Sequence, residues 1–163
     1  SVSNTEGVYF VPAFAGLGAP WWRSDVKAAI FGMTLGTTKS HLLRAALESI
    51  AYQVKDLADM MSQSAGIPLK ELRVDGGPTK NNLLMNFQAD MLQAPICCSD
   101  VEEASALGAV LMNALARGKW NTFAEILSLR KEQKLRLPQM TQTDVDALYK
   151  GWQHAVKTLI TSK

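Results

Sequence analysis

Two adjacent glycines close a short apolar run at Leu72-Arg73-Val74-Asp75-Gly76-Gly77, and Pro78-Thr79-Lys80-Asn81-Asn82 follows at once. The run reads as a strand, the glycines as a break, and Asn81 as the opening of a helix reaching Leu92. Without a Cβ, Gly76 and Gly77 let the backbone approach a ligand closely and adopt dihedrals closed to other residues. A helix start just beyond them offers unpaired N–H groups and the positive end of the helix dipole, which suits an anionic group such as a phosphate. A nucleotide loop is one reading of this stretch, and an ordinary strand-to-helix turn is the other. Asp75 fits either, as a contact to a magnesium-bound nucleotide or as a turn-forming aspartate.

Other stretches with superficially similar chemistry fail on spacing. Gly16-x-Gly18 has Trp21 where a dinucleotide loop needs its third glycine, and no helical pattern follows. The segment reads instead as an ordered loop with Trp21 or Trp22 packed. Gly36-Thr37-Thr38-Lys39-Ser40 lacks the glycines that a phosphate-binding lysine loop carries ahead of its Lys, so Thr38 or Ser40 is expected to cap the next helix. His41 has no second ligand at helical spacing, which leaves a capping or surface role. Cys97 and Cys98 are adjacent, so on a strand they point to opposite faces and are poorly placed to bridge each other. With no His or carboxylate arrangement recognisable near them, they read as core residues.

The elements that would position the glycine loop follow from periodicity. Strands are expected at Val8–Pro12, Lys27–Met33, Leu72–Val74 and Ile96–Cys98. Between the second and third, Leu43, Leu47, Ile50, Val54, Leu57 and Met61 recur at steps of three and four, one apolar stripe of a long helix ended by Gly66 and Pro68. Arg44 and Glu48 lie one turn apart on it and can pair. After the glycine loop, Leu84, Phe87, Gln88 and Met91 share a helix face. Glu102-Glu103 precede a small-residue helix around Ala104–Leu111, whose Ala and Gly positions permit close packing on a sheet or a neighbouring helix. A short helix is expected at Thr122–Leu129 and an extended connector at Lys134–Pro138. A terminal helix over Thr143–Leu159 presents Val145, Leu148, Trp152, Val156 and Leu159 on one side, with His154 solvated. Strands alternating with helices after residue 38 define an α/β class with an at least partly parallel sheet.

Composition narrows the function classes. The chain has 163 residues, 47% of them hydrophobic and 20% charged, which fits one globular domain. A formal charge of +2, with no basic cluster interleaved with aromatics, argues against nucleic acid or a membrane surface as partner. Two adjacent cysteines make no disulfide framework, no apolar run approaches the ~20 residues of a membrane span, and no signal-peptide pattern opens the chain. A cytoplasmic protein is therefore expected.

Taken together, these motifs resemble the C-terminal domain of the FGGY carbohydrate kinases, nearest to their glycerol-kinase branch. The similarity runs from about Gly7 to Trp120. Val11-Pro12-Ala13-Phe14-x-Gly16-Leu17-Gly18-Ala19-Pro20 looks like the loop of that branch. The family's signature, Ala28-x-Ile30-x-Gly32-Met33 then seven residues to His41-Leu42-x-x-Ala45-Ala46-Leu47-Glu48, is unbroken. Arg73–Gly77 with Asn81-Asn82, and Ala106-Leu107-Gly108-Ala109, are similar to the family's nucleotide loop and the helix after it.

The resemblance implies an actin-like ATPase, ribonuclease H-like domain, truncated at its N-terminal strands, with residues 1–163 forming the C-terminal nucleotide-binding part of a kinase. It implies ATP/ADP and Mg2+ as cofactors and transfer of the γ-phosphoryl group to a hydroxyl of a polyol or sugar. Carried over by position, Gly77 resembles the glycine whose backbone contacts ADP, Asn81 the residue near the adenine end, and Gly76 its supporting neighbour. No catalytic residue and no metal ligand are expected within this chain, which should be inactive alone. An open sheet edge would favour a homo-oligomer. Ala15, Trp22-Arg23 and Lys27-Ala28 depart from the branch's usual Thr, Trp-Asp and Arg-Gly, which leaves the acceptor open. The absence of a complete catalytic constellation also motivates a second reading, a non-catalytic interaction module with an actin-like fold.

Overall fold

The computed structural model describes residues 2–99, 103–128 and 134–162. Two small sheets are joined by a helical layer. Strands β1 (Tyr9–Val11) and β2 (Ala29–Phe31) pair antiparallel, with Tyr9 opposite Phe31. Both are shorter than the apolar runs predict. Gly32, just after β2, has φ +78°, and a Cβ there would overlap the Gly7 carbonyl oxygen. Only glycine lets these two chain segments approach so closely.

Helix α1 (Lys39–Ala65) follows, capped by Thr38. The Thr38 backbone N–H donates to Nδ1 of His41 at 3.1 Å, so His41 completes a capping box and is itself buried. Gly66 ends the helix in the left-handed conformation. Strand β3 (Leu72–Val74), a 3-10 turn (Gly77–Lys80) and helix α2 (Asn82–Leu92) lead to β4 (Ile96–Cys98), which pairs parallel with β3. Helices α3 (Ala104–Ala116) and α4 (Phe123–Ser128) precede β5 (Lys134–Arg136), and α5 (Gln142–Thr161) closes the chain. Strand order is β3-β4-β5, with β5 antiparallel to β4. Helix α1 packs along α2 and against β1, and α5 packs on β1 and α2. No helix among the described residues is long and apolar enough to cross a membrane.

Four expectations change. The face of α1 that packs inward is not its apolar stripe. The buried positions are His41, Ala45, Glu48, Ser49, Ala51, Tyr52 and Asp56, whereas Leu43 is 58% and Met61 60% exposed. Periodicity identified the helix, but a polar-containing face won the interior, where His41, Glu48, Ser49 and Asp56 each find a hydrogen-bond partner. Lys134–Arg136 is a strand and not a connector, held by pairing to the fully buried β4. In α3 no described residue is buried, so its small side chains make no close packing. Lastly, Cys97 does have a carboxylate neighbour, since its Sγ donates to Glu71 Oε2 at 3.5 Å. Burial and that carboxylate both push the thiol upward, which keeps it protonated and inert. His154 is exposed, as expected. Glu102 and Leu129 lie outside the described residues.

The interior is organised on Asp56. Its Oδ2 accepts from Trp21 Nε1 at 3.0 Å and Trp152 Nε1 at 2.9 Å, and its Oδ1 accepts from the Tyr149 hydroxyl at 2.7 Å. Burial and then this carboxylate raise the Tyr149 phenol. Tyr52, one turn before Asp56, stacks on Trp152 with ring centroids 5.2 Å apart and meets Phe87 of α2 edge-on at 5.4 Å. Nearby, Arg44 Nε donates to Glu48 at 2.6 Å, a largely buried ion pair in which burial raises the carboxyl against the pull of the guanidinium. Replacing Asp56 with Ala strands three donors, that of Trp152 buried and those of Trp21 and Tyr149 half-buried. Asp56→Ala is expected to lose at least about 3 kcal/mol of unfolding free energy, measured by urea titration, because each buried unsatisfied group costs about 1–3 kcal/mol. An unchanged midpoint would show that the carboxylate is not the centre of this packing.

Candidate functional site: the Gly76-Gly77 loop

Strand β3 delivers the chain to Asp75, which is exposed, and the backbone then turns at Gly76 with φ +88° and ψ 177°. That combination is open almost only to glycine. Pro78 enters the 3-10 turn with its ring in place of an N–H that the turn does not use. Thr79 locks the turn from both sides of its residue: its N–H donates to the Gly76 carbonyl at 3.2 Å and its hydroxyl donates to the same oxygen at 2.7 Å. Asn81 N–H then donates to Pro78 O at 3.0 Å.

Asn81 is the N-cap of α2 and not its first turn. Its Oδ1 accepts from Leu84 N–H at 3.1 Å, the expected device for satisfying a free helical donor. Capping uses that oxygen alone, and the Nδ2 donors have no partner among the described residues. The N–H groups of Gly76 and Gly77 likewise have no acceptor among the described residues.

The two glycines serve different ends. A Cβ on Gly76 would meet Pro78 Cδ only at 3.9 Å, so its requirement is conformational. Gly77 has no left-handed φ, is exposed, and a Cβ on it would meet nothing within 4 Å. Its side is open space, where a ligand can lie against the backbone. The three sequence-derived residues thus flank one short turn, Gly76 and Gly77 at its start and Asn81 at its end. The role of Thr79 was not anticipated, although a Thr three residues after Gly76 is a spacing at which such hydroxyls bond back to the chain.

Two surface depressions lie elsewhere. One, of about 760 Å3, is lined in part by Val110, Asn113, Arg117 and Lys119 at the end of α3. The other, of about 320 Å3, lies between Trp21 and the Ile50, Val54 and Leu57 side of α1. Neither includes a residue of the glycine loop. Among the described residues no group of three or more His, Cys, Asp or Glu side chains could hold a metal ion.

A β3–turn–α2–β4 unit with paired glycines at the strand end is the arrangement of a phosphate-handling α/β domain. Residues 1–117 match the model of the FGGY family of carbohydrate kinases, C-terminal domain, and the chain belongs to that family. Its fold is accordingly the actin-like α/β fold of these kinases. The chain is 50% identical over 162 residues to a glycerol kinase of Geobacillus sp. (strain WCH70), covering 99% of this chain and 33% of that protein. It is 48% identical over 162 residues to the glycerol kinase of Bacillus subtilis (strain 168), with the same coverage. Among solved structures, Plasmodium falciparum glycerol kinase with ADP superposes with a TM-score of 0.91 at 38% identity, over 99% of this chain and 32% of that one. The chain therefore spans about a third of the length of these relatives.

Gly76 and Gly77 separate by substitution. Gly76→Ala is expected to cost about 1–3 kcal/mol in denaturant unfolding, the usual range for a side chain forced into this region of backbone space. Gly77→Ala should leave the midpoint nearly unchanged. Equal effects at the two positions would show that the loop is not held as described.

Proposed function

We propose that this chain is the ATP/ADP-binding part of a carbohydrate kinase, residues 1–163 forming its C-terminal nucleotide-binding domain. In this reading the complete protein transfers the γ-phosphoryl group of ATP, with Mg2+, to a hydroxyl of a polyol or sugar in the cytoplasm. The observation that carries it is the open side of Gly77 beside the unused Asn81 amide, in a chain that belongs to a kinase family. Gly77 lets the nucleotide lie against the backbone, the free N–H groups of Gly76 and Gly77 donate toward it, and Asn81 Nδ2 donates at its adenine end. Gly76 holds the turn that aims these donors. Magnesium in this reading travels with the nucleotide's phosphates, since no described cluster of side chains would hold it.

Phosphoryl transfer depends on positioning and on charge around the γ-phosphate. The loop supplies positioning only, so no turnover is expected from this chain alone with glycerol or a sugar as acceptor.

Calorimetric titration of Mg-ADP into the chain tests the site. Saturable binding is expected, weakened at least tenfold in Gly77→Val and in Asn81→Asp. The second variant keeps an oxygen for the Leu84 N–H, so the α2 cap and the melting temperature should hold while the amide donor is lost. Affinity unchanged in both variants, or no binding by the unmodified chain, would overturn the assignment.

A further inference from the structure

Gly76, Gly77 and Asn81 offer a ligand uncharged donors, and a guanidinium stands beside them where the turn passes into α2. Arg136, half-buried on β5, reaches that helix and donates from Nη2 to Asn82 Oδ1 at 2.5 Å. No carboxylate among the described residues pairs with it. Its Nε is buried and has no acceptor among them. A buried donor left unmet costs folding free energy, so such a group calls for a use or a missing partner. The β4–β5 ladder does not need the guanidinium, because backbone groups alone make it.

The groups around this guanidinium are donors too. Asn81 Oδ1 is engaged by the Leu84 N–H and Asn82 Oδ1 by Arg136. The Nδ2 donors of both amides are left without a partner among the described residues. In the first turn of α2 the N–H groups of Asn82 and Leu83 likewise lack an acceptor. The Gly77–Lys80 turn spans about 8 Å at the rise of a 3-10 helix, so these donors meet a different part of a bound nucleotide from the Gly77 backbone. A donor-only set discriminates bases by their acceptors. Arg matches the O6 and N7 acceptors of a 6-oxopurine, whereas adenine shows N7 beside a 6-amino donor and is matched by an amide giving both an acceptor and a donor. Here both amide oxygens are already engaged by the fold.

We infer that Arg136 is a base-contacting, specificity-determining residue of the nucleotide site, and that with the Asn81 and Asn82 amides it selects a purine presenting acceptors at O6 and N7. The class this end favours is a 6-oxopurine nucleotide, with adenine nucleotides held there through N7 alone. The inference rests on the nucleotide-loop reading, since phosphates at Gly77 are what bring a base to Asn81. When the nucleotide binds, the base acceptors take guanidinium donors that the free protein leaves unmet. A base without an acceptor beside N7 leaves part of the fork unpaired, which is the origin of the selection.

Calorimetric titrations with Mg-ADP and with the magnesium salt of inosine diphosphate, which differ in the base alone, read the selection directly. The chain is expected to bind the inosine nucleotide about fivefold or more tighter than ADP. Arg136→Gln supplies an acceptor together with a donor and should move the affinity ratio about fivefold or more toward ADP. Arg136→Lys keeps the charge but loses the planar fork, so it too should lose the inosine preference. Because the ratio compares two ligands on one protein, a change in the folded fraction of a variant cancels from it. ADP bound as tightly as the inosine nucleotide or tighter, a ratio unmoved by Arg136→Gln, or a preference retained in Arg136→Lys would overturn the inference. Gly77-dependent binding of both nucleotides with the ratio unmoved sinks only the role of Arg136. Binding of neither sinks the nucleotide loop, and this inference with it.

Discussion

A buried carboxylate with three donors ties together parts of the chain that no backbone ladder connects. Asp56 lies on α1, Trp21 in the loop after β1, and Tyr149 and Trp152 on α5, so one side chain fixes a loop and two helices. A charge taken out of water is costly unless it is fully hydrogen-bonded. Here the two indole N–H groups and the phenol supply what water would. Because the donors come from fixed rings, the carboxylate dictates where α5 crosses α1. Tyr52, stacked on Trp152 and set edge-on to Phe87, passes that orientation to α2. The N-terminus of α2, and with it the glycine loop, is placed at the end of this chain of contacts.

Seen from the sequence, helices were easier to find than their buried faces. The stripe from Leu43 to Met61 marks α1 correctly, because side-chain periodicity reports the helix itself. Which side of a helix turns inward depends on what its neighbours offer. The inward side carries Glu48, Ser49 and Asp56; the Arg44 partner of Glu48 lies one turn away and was legible, whereas Trp21, Tyr149 and Trp152, which meet Asp56, come from distant parts of the chain. Local pattern cannot carry that information, since the partner of Asp56 on α5 is 96 residues away. For the same reason β5 reads as a connector: Lys134-Leu135-Arg136 has little strand character of its own and owes its conformation to β4.

The glycine loop was legible because its constraints are local. A backbone at φ +88° and ψ 177° names its own residue, and an asparagine before an apolar helical run names its cap. What stayed hidden was the division of labour between the glycines. Gly76 is needed for a dihedral and Gly77 for the space beside it, a distinction that appears only when a Cβ is placed at each.

That division bears on how such a loop can recognise a ligand without being deformed by it. Thr79 bonds the Gly76 carbonyl twice and Asn81 closes onto Leu84, so the turn is already held before anything binds. A ligand arriving at Gly77 meets donors whose ordering has been secured by the fold, and less of its binding free energy is lost to freezing the loop. The same rigidity limits what the loop does. The donors it offers at Gly76, Gly77 and Asn81 are neutral N–H groups, so in a phosphoryl transfer they hold one reactant still while other groups act on it.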